Sequence, residues 1–280
     1  ENRERIDFVS IIMAKELIRV PRILGGNCNS GLIERLYEAG GNVMLLDLII
    51  YLSSHHLTDL FGTSWFSVED FCHKMGYNRT NLQRKLTEEQ LTAMFGSRTP
   101  PKYVVAGTAG KSVTHPIETV FEAAIYKLGL ENLYYPVAGE DGRTSYNFVQ
   151  ILKRFDIVTD FETKKSTKRL YSAMISPEIK DFMFSLYNLL ELQDYRNLPS
   201  RYRYFYLELS KMIYLIKYKV KNNETPFYVL TVDQLAKRLG IEIAEPKYRK
   251  KKIVSILTKM NGYLKYTNFN FSFIKGEHDR

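Results

Sequence analysis

Cysteine, long apolar runs and recognisable catalytic sets are what this chain of 280 residues has least of. Its 2 cysteines, Cys28 and Cys72, are too few for a disulfide framework or a four-ligand zinc site, and a reducing, intracellular setting fits them best. No apolar run approaches the ~20 residues needed to span a bilayer. The longest, Val43 to Leu52, is interrupted by Asp47, and the N-terminus has no secretory apolar core. These absences set the expectation of a cytoplasmic protein that does not enter a membrane.

The histidines argue against metal or nucleophile chemistry. His55 and His56 are adjacent, so on a strand they would point apart, whereas a metal-holding nicking enzyme spaces its pair by one residue. His73, His115 and His278 are scattered and build no Ser/His/Asp or Cys/His set. Paired carboxylates such as Glu88-Glu89 and Glu140-Asp141 sit in polar contexts and read as solvated. Gly107 to Ser112 (GTAGKS) invites a phosphate-loop reading, but the glycine needed five positions before the Gly-Lys pair is Val105. The expectation is a non-enzyme with no catalytic residue, no cofactor and no metal.

What is present is positive charge in one place. Residues 201–280 hold 17 Lys/Arg against 7 Asp/Glu, a net of +10, while residues 1–200 hold 23 against 24, a net of −1. A concentrated positive field attracts polyanions, because each neutralised phosphate releases condensed counterions. A merely solubilising surface is the bland alternative. Hydrophobic residues at 45% and charged ones at 25% are the balance of a folded chain.

Several elements are legible along the chain. Asp7 to Val20 reads as strand or helix, and Leu32 to Leu52 as a buried helix broken near Gly40-Gly41. Ser67 with Asp70 is a capping-box variant opening a helix through Lys74. Gly76 supplies a turn and Asn78 caps a second helix, with Leu82 and Leu86 on its inner face. That is a helix-turn-helix pattern, and Thr80, Asn81, Arg84 and Thr87 on the outer face suit phosphates or base edges. Residues 96–142 are irregular around one helical stretch near Ile117 to Leu128, and read as an insertion. Ile151 to Phe161 and Lys168 to Ile175 predict a hairpin whose tip carries Lys164, Lys165, Lys168 and Arg169, the form of a wing. Ser176-Pro177 starts a helix carrying Phe182, Leu186, Leu189 and Leu190, and Pro199-Ser200 marks a boundary.

The order of elements then repeats. A tyrosine-rich helix runs from Arg201 to Lys221. Thr231 to Gln234 is a capping box for a helix ending at Gly240, and Pro246 starts the next. Ile253, Ile256, Leu257 and Met260 form the apolar stripe of that helix. Its other side shows Lys247, Tyr248, Lys251, Lys252, Ser255 and Lys259, with Arg249 and Lys250 at the flanks. Tyr263 to Tyr266 and Phe269 to Ile274 alternate like a closing hairpin that ends near Lys275. The fold expected is α+β and mainly helical: two tandem winged-helix domains, 1–198 with an insertion at 96–142, and a strongly basic 199–280.

Ser200 to Leu209 (SRYRYFYLEL), Leu230 to Gly240 (LTVDQLAKRLG), the basic helix from Tyr248 to Met260 and the closing segment together resemble the second winged helix of theta-type, iteron-binding plasmid replication initiators (Rep proteins). The N-terminal half is similar to the first module of that family. The resemblance implies sequence-specific double-stranded DNA binding at repeated origin sites, initiation of replication of a plasmid or mobile element, a homodimer through the first domain, a host helicase or initiator as partner, and association with plasmid or nucleoid in a bacterial cytoplasm. A long insertion and a lightly basic first recognition helix depart from the family pattern. The alternatives are a winged-helix transcriptional regulator without an initiation role and, further off, a strand-nicking enzyme.

Overall fold

The computed structural model describes residues 16–21, 43–54, 62–106, 112–138, 142–159, 169–177, 187–222 and 229–272. Helices and antiparallel sheet occur together, an α+β chain. It divides into two compact units, Ile18–Leu189 and a second that runs from Leu190 onward and includes Leu17.

In the first unit the apolar run becomes helix α1 (Met44–Ser54), buried at every position from Met44 to Ser53. The interrupting Asp47 is fully buried and is satisfied by the Tyr77 hydroxyl at 2.5 Å, as a buried carboxylate requires. Strand β1 (Leu17–Pro21) pairs with β9 (Tyr187–Glu191), and so Leu189 and Leu190 lie on a strand and not on the helix expected there. Strand β2 (Thr63–Ser67) leads directly into α2 (Val68–Met75), whose start is fixed by the reciprocal Ser67–Asp70 capping box. Its end is fixed by Gly76 at φ 72°, a left-handed conformation that favours glycine. Helices α3 (Arg79–Gln83) and α4 (Glu88–Phe95) follow.

The described residues of 96–142 hold more regular structure than the sequence suggests. They contain the hairpin β3 (Lys102–Ala106) with β4 (Ser112–Pro116), helix α5 (Val120–Leu130), and β5 (Asn132–Ala138), which pairs with β6 (Thr144–Gln150). Helix α5 buries Phe121, Ala124, Ile125 and Leu128 and packs on α1 and on β7 (Leu152–Thr159). With β8 (Arg169–Ile175), β7 and β2 form an antiparallel sheet ordered β2-β8-β7. Alternation sends Phe66, Tyr171, Ala173 and Ile175 inward. There Tyr171 meets Phe66 at 6.1 Å and Phe121 at 5.2 Å, ring centre to ring centre. The hairpin expected over 151–175 is therefore present, and its tip lies outside the described residues.

The second unit is helical: α6 (Leu192–Asn197), α7 (Ser200–Lys221), α8 (Val232–Arg238) and α9 (Pro246–Asn261). Its limit falls at Leu190 and not at 198/199, because α6 packs on α7. Tyr195 and Tyr206 are both buried with ring centres 6.1 Å apart, and Arg203 donates to the Leu198 carbonyl at 3.2 Å. The hairpin expected after α9 is absent from the described residues, for a definite reason. Asp194 accepts from the Lys265 and Tyr266 backbone at 2.7 and 3.1 Å, and Asn261 exchanges bonds with Phe269 at 2.9 and 3.0 Å. The N–H groups of Lys265, Tyr266 and Phe269 and the Phe269 carbonyl are thereby taken from any ladder, and 262–272 carries no strand. Among the described residues no helix is long and apolar enough to cross a membrane.

Candidate nucleic-acid interface

Helix α9 begins with Pro246 at its first position, where the missing N–H has no intrahelical partner to lose. Its stripe is buried as the periodicity predicts: Ile253 0%, Ile256 5%, Leu257 3% and Met260 0% exposed. Those four residues lock the helix against α8 and α7 and leave the opposite side in water. Lys247, Tyr248, Lys250, Lys251, Lys252 and Lys259 are exposed, and Ser255 is half-buried. Residues 248, 251, 252, 255 and 259 share one face, three or four positions apart. No described carboxylate forms an ion pair with Lys247, Lys251, Lys252 or Lys259. What remains is a continuous cationic face with one aromatic ring, suited to phosphate oxygens and base edges.

Arg249 departs from this set. It lies one turn before Ile253 and two before Ile256, which puts it on the core side of the helix. Its side chain is only 19% exposed, and its guanidinium bonds the Asp233 carboxylate and the Ala244 carbonyl, with Nε donating to the Ile243 carbonyl at 2.5 Å. The group is engaged within the protein. The signal was available in the sequence, in its spacing to the stripe and in the Asp233 that the Thr231 capping box places in the first turn of α8.

The first unit arranges its candidates differently. Thr80, Asn81, Arg84 and Thr87 are all exposed, but they do not share one helix. Helix α3 stops at Gln83, and Arg84 is extended at φ −61° and ψ 138°. The Arg84 carbonyl accepts from Val120 at 3.1 Å, and Leu86 donates to the Glu118 carbonyl at 2.8 Å. Leu82 is buried while Leu86, beyond the break, is only half-buried. Thr87 caps the next helix, its hydroxyl accepting from the Gln90 N–H at 3.3 Å within a second capping box. The surroundings also dilute positive charge: Arg79 pairs with Glu69 at 2.7 Å and Lys85 with Glu118 at 2.9 Å. Glu88 and Glu89 lie exposed beside Thr87, whose hydroxyl bond, with a backbone bond, lowers the Glu89 pKa below its ordinary value.

Of the remaining candidates, Lys164, Lys165, Lys168 and Lys275 lie outside the described residues, as do His55, His56 and the GTAGK segment. Arg169 opens β8. Among the described residues no group of three or more His, Cys, Asp and Glu could hold a metal ion. Cys72 is buried, and burial, then the Glu69 carboxylate, pushes its thiol up to about 11, away from the thiolate a nucleophile needs. Compared with protein-family models, curated proteins and solved structures, the chain matches none.

Proposed function

We propose that this chain is a sequence-specific duplex-DNA-binding protein built of two winged-helix modules, and that it starts replication of a plasmid or similar mobile element at repeated origin sites. The observation that carries the DNA-binding reading is the face of α9, on which Lys251, Lys252 and Lys259 stand exposed opposite a fully packed stripe. Helix α8, the short connection 239–245 and α9 give a helix-turn-helix pair, with α9 as the groove-facing member. Lysines neutralise phosphates, while Tyr248 and Ser255 reach sugars or bases.

One further feature supports the first module as a winged helix. Leaving out α3, α4 and the hairpins β3–β4 and β5–β6 that intervene, the order α1, β2, α2, α5 and the β7–β8 hairpin, with β8 pairing back onto β2, sets three helices beside a three-stranded sheet. The β7–β8 hairpin would then be the wing. In the second module the reading rests on the helices, since no strand follows α9 among the described residues. The initiation role, a homodimer through the first module and a host helicase or initiator as partner rest on the family resemblance alone.

The test is a duplex selected by the chain from a randomised pool, with affinity followed across salt. Binding whose logarithm falls steeply and linearly with log salt is expected, with a slope of roughly 0.9 per phosphate neutralised. Absence of binding at moderate salt would sink the reading. Direct repeats in the DNA beside the gene would assign initiation, and a single operator would assign regulation.

A further inference from the structure

We propose that Arg249 is a positioning residue of this interface and does not itself contact DNA: tied to Asp233 and to the Ile243 and Ala244 carbonyls, it fixes the angle at which α8 presents α9. The inference rests on the DNA-binding reading above. The connection between α8 and α9, residues 239–245, has no regular structure of its own, yet it sets how the cationic face is aimed. The carbonyls of Ile243 and Ala244 are two acceptors in that connection, and a single guanidinium donates to both while also holding a carboxylate on α8. A planar fork of five N–H donors can bridge three acceptors in fixed directions. A lysine ammonium, a compact point charge on a flexible stem, cannot reproduce that geometry.

The same pair also settles a charge. The Asp233 side chain is 69% exposed, near the end of α9 that carries Lys247, Tyr248 and Lys251. Left alone, its carboxylate would repel a phosphate backbone approaching that end. Paired with Arg249 it is neutralised, and Arg249 brings no uncompensated charge of its own. Arg249 therefore differs in kind from its lysine neighbours: they release counterions from DNA, and it sets the register in which they do so.

Four chains separate these roles: the unmodified protein, Asp233→Asn, Arg249→Lys and Lys251→Gln. Each is titrated with the duplex selected by the unmodified chain and with a shuffled duplex, across salt. Asp233→Asn and Arg249→Lys are expected to reduce the ratio of selected to shuffled affinity by about tenfold, within the range of a lost base-pair match, with the salt slope unchanged. Lys251→Gln is expected to lower the slope by about 1. The sign of the Asp233→Asn result decides. Tighter binding with a steeper slope means that an arginine freed from its carboxylate has gone to a phosphate, which overturns the positioning role. An unchanged ratio in both variants overturns it as well. Should Arg249→Lys fail to fold, the surface substitution Asp233→Asn decides alone. An unchanged slope in Lys251→Gln overturns the DNA-facing surface of α9 itself, a failure distinct from the other two.

Discussion

The two units each present a pair of helices joined by a short connection, and the pairs differ in what happens to their charges. On α9 the cations stand on one uninterrupted helix of 16 residues, opposite a stripe of residues exposed by 5% or less. Around α3 the helix is only 5 residues long, two of the basic side chains pair with glutamates, and the next helix opens with Glu88-Glu89. Charge composition alone would rank the units in the same order. The structure adds the cause: helix continuity decides whether outward residues share a face, and pairing decides which of them offer charge to a ligand. Under the proposed DNA-binding function, most of the phosphate contact would fall to the second unit and a smaller share to the first.

The largest expected effect concerns the core of the first unit. Phe121 is fully buried and its ring lies 5.2 Å from that of Phe71 and 5.2 Å from that of Tyr171. Phe121→Ala is expected to cost about 3–5 kcal/mol in denaturant unfolding. A loss below about 1 kcal/mol would return α5 to the status of a removable insertion. Next, reversing charge at Lys251 and Lys252 together is expected to weaken binding to the selected duplex at least tenfold and to lower the salt slope by about 2. Arg84→Gln in the first unit is expected to lower that slope by at most about 1. A larger effect from Arg84 than from the lysine pair would invert the comparison.

Smaller effects sharpen it. Thr87→Ala and Thr231→Ala each remove a capping box, at about 1 kcal/mol of stability. Only Thr231→Ala is expected to weaken DNA binding too, because α8 supports α9. The smallest effect is a titration in a Cys28→Ser chain. Cys72 ionises near 9.0 when unfolded and at about 11 when folded, so folding favours its protonated form. Its contribution to stability is intact below that lower value and is lost as pH rises toward the higher one. Cys72→Ala is expected to make stability flatter over this window, and identical profiles would show the thiol to be more open than its burial implies.

Sequence reading succeeded where one residue's chemistry acts locally. Ser67 with Asp70, Asn78, Thr231 with Gln234, and Pro246 each mark a helix start that the structure keeps. It failed where a tertiary partner decides. Pro136 looks like punctuation but lies in β5 opposite Tyr146, in a ladder that among the described residues has two strands, so that each has a free edge able to tolerate a missing N–H. The break at Arg84 is also written locally, since Thr87 with Gln90 is another capping box, although Leu82 and Leu86 by their spacing suggest one continuous helix. The alternation that begins at Tyr263 reads as strands, yet the Asp194 side chain, distant in sequence, takes the Lys265 and Tyr266 N–H groups. On α9 the exposed face was legible because an amphipathic period carries it, whereas the engagement of Arg249 needed the fold of the preceding connection.

The buried Asp194 has one more effect. Its carboxylate secures the chain just beyond α9, and Asn261 closes a small ring with Phe269 at the last turn of that helix. At the opposite terminus Arg249 anchors the entry. A rod braced at its two extremities would have little freedom left to surrender if it docked on DNA as proposed, which would lower the entropic toll of association.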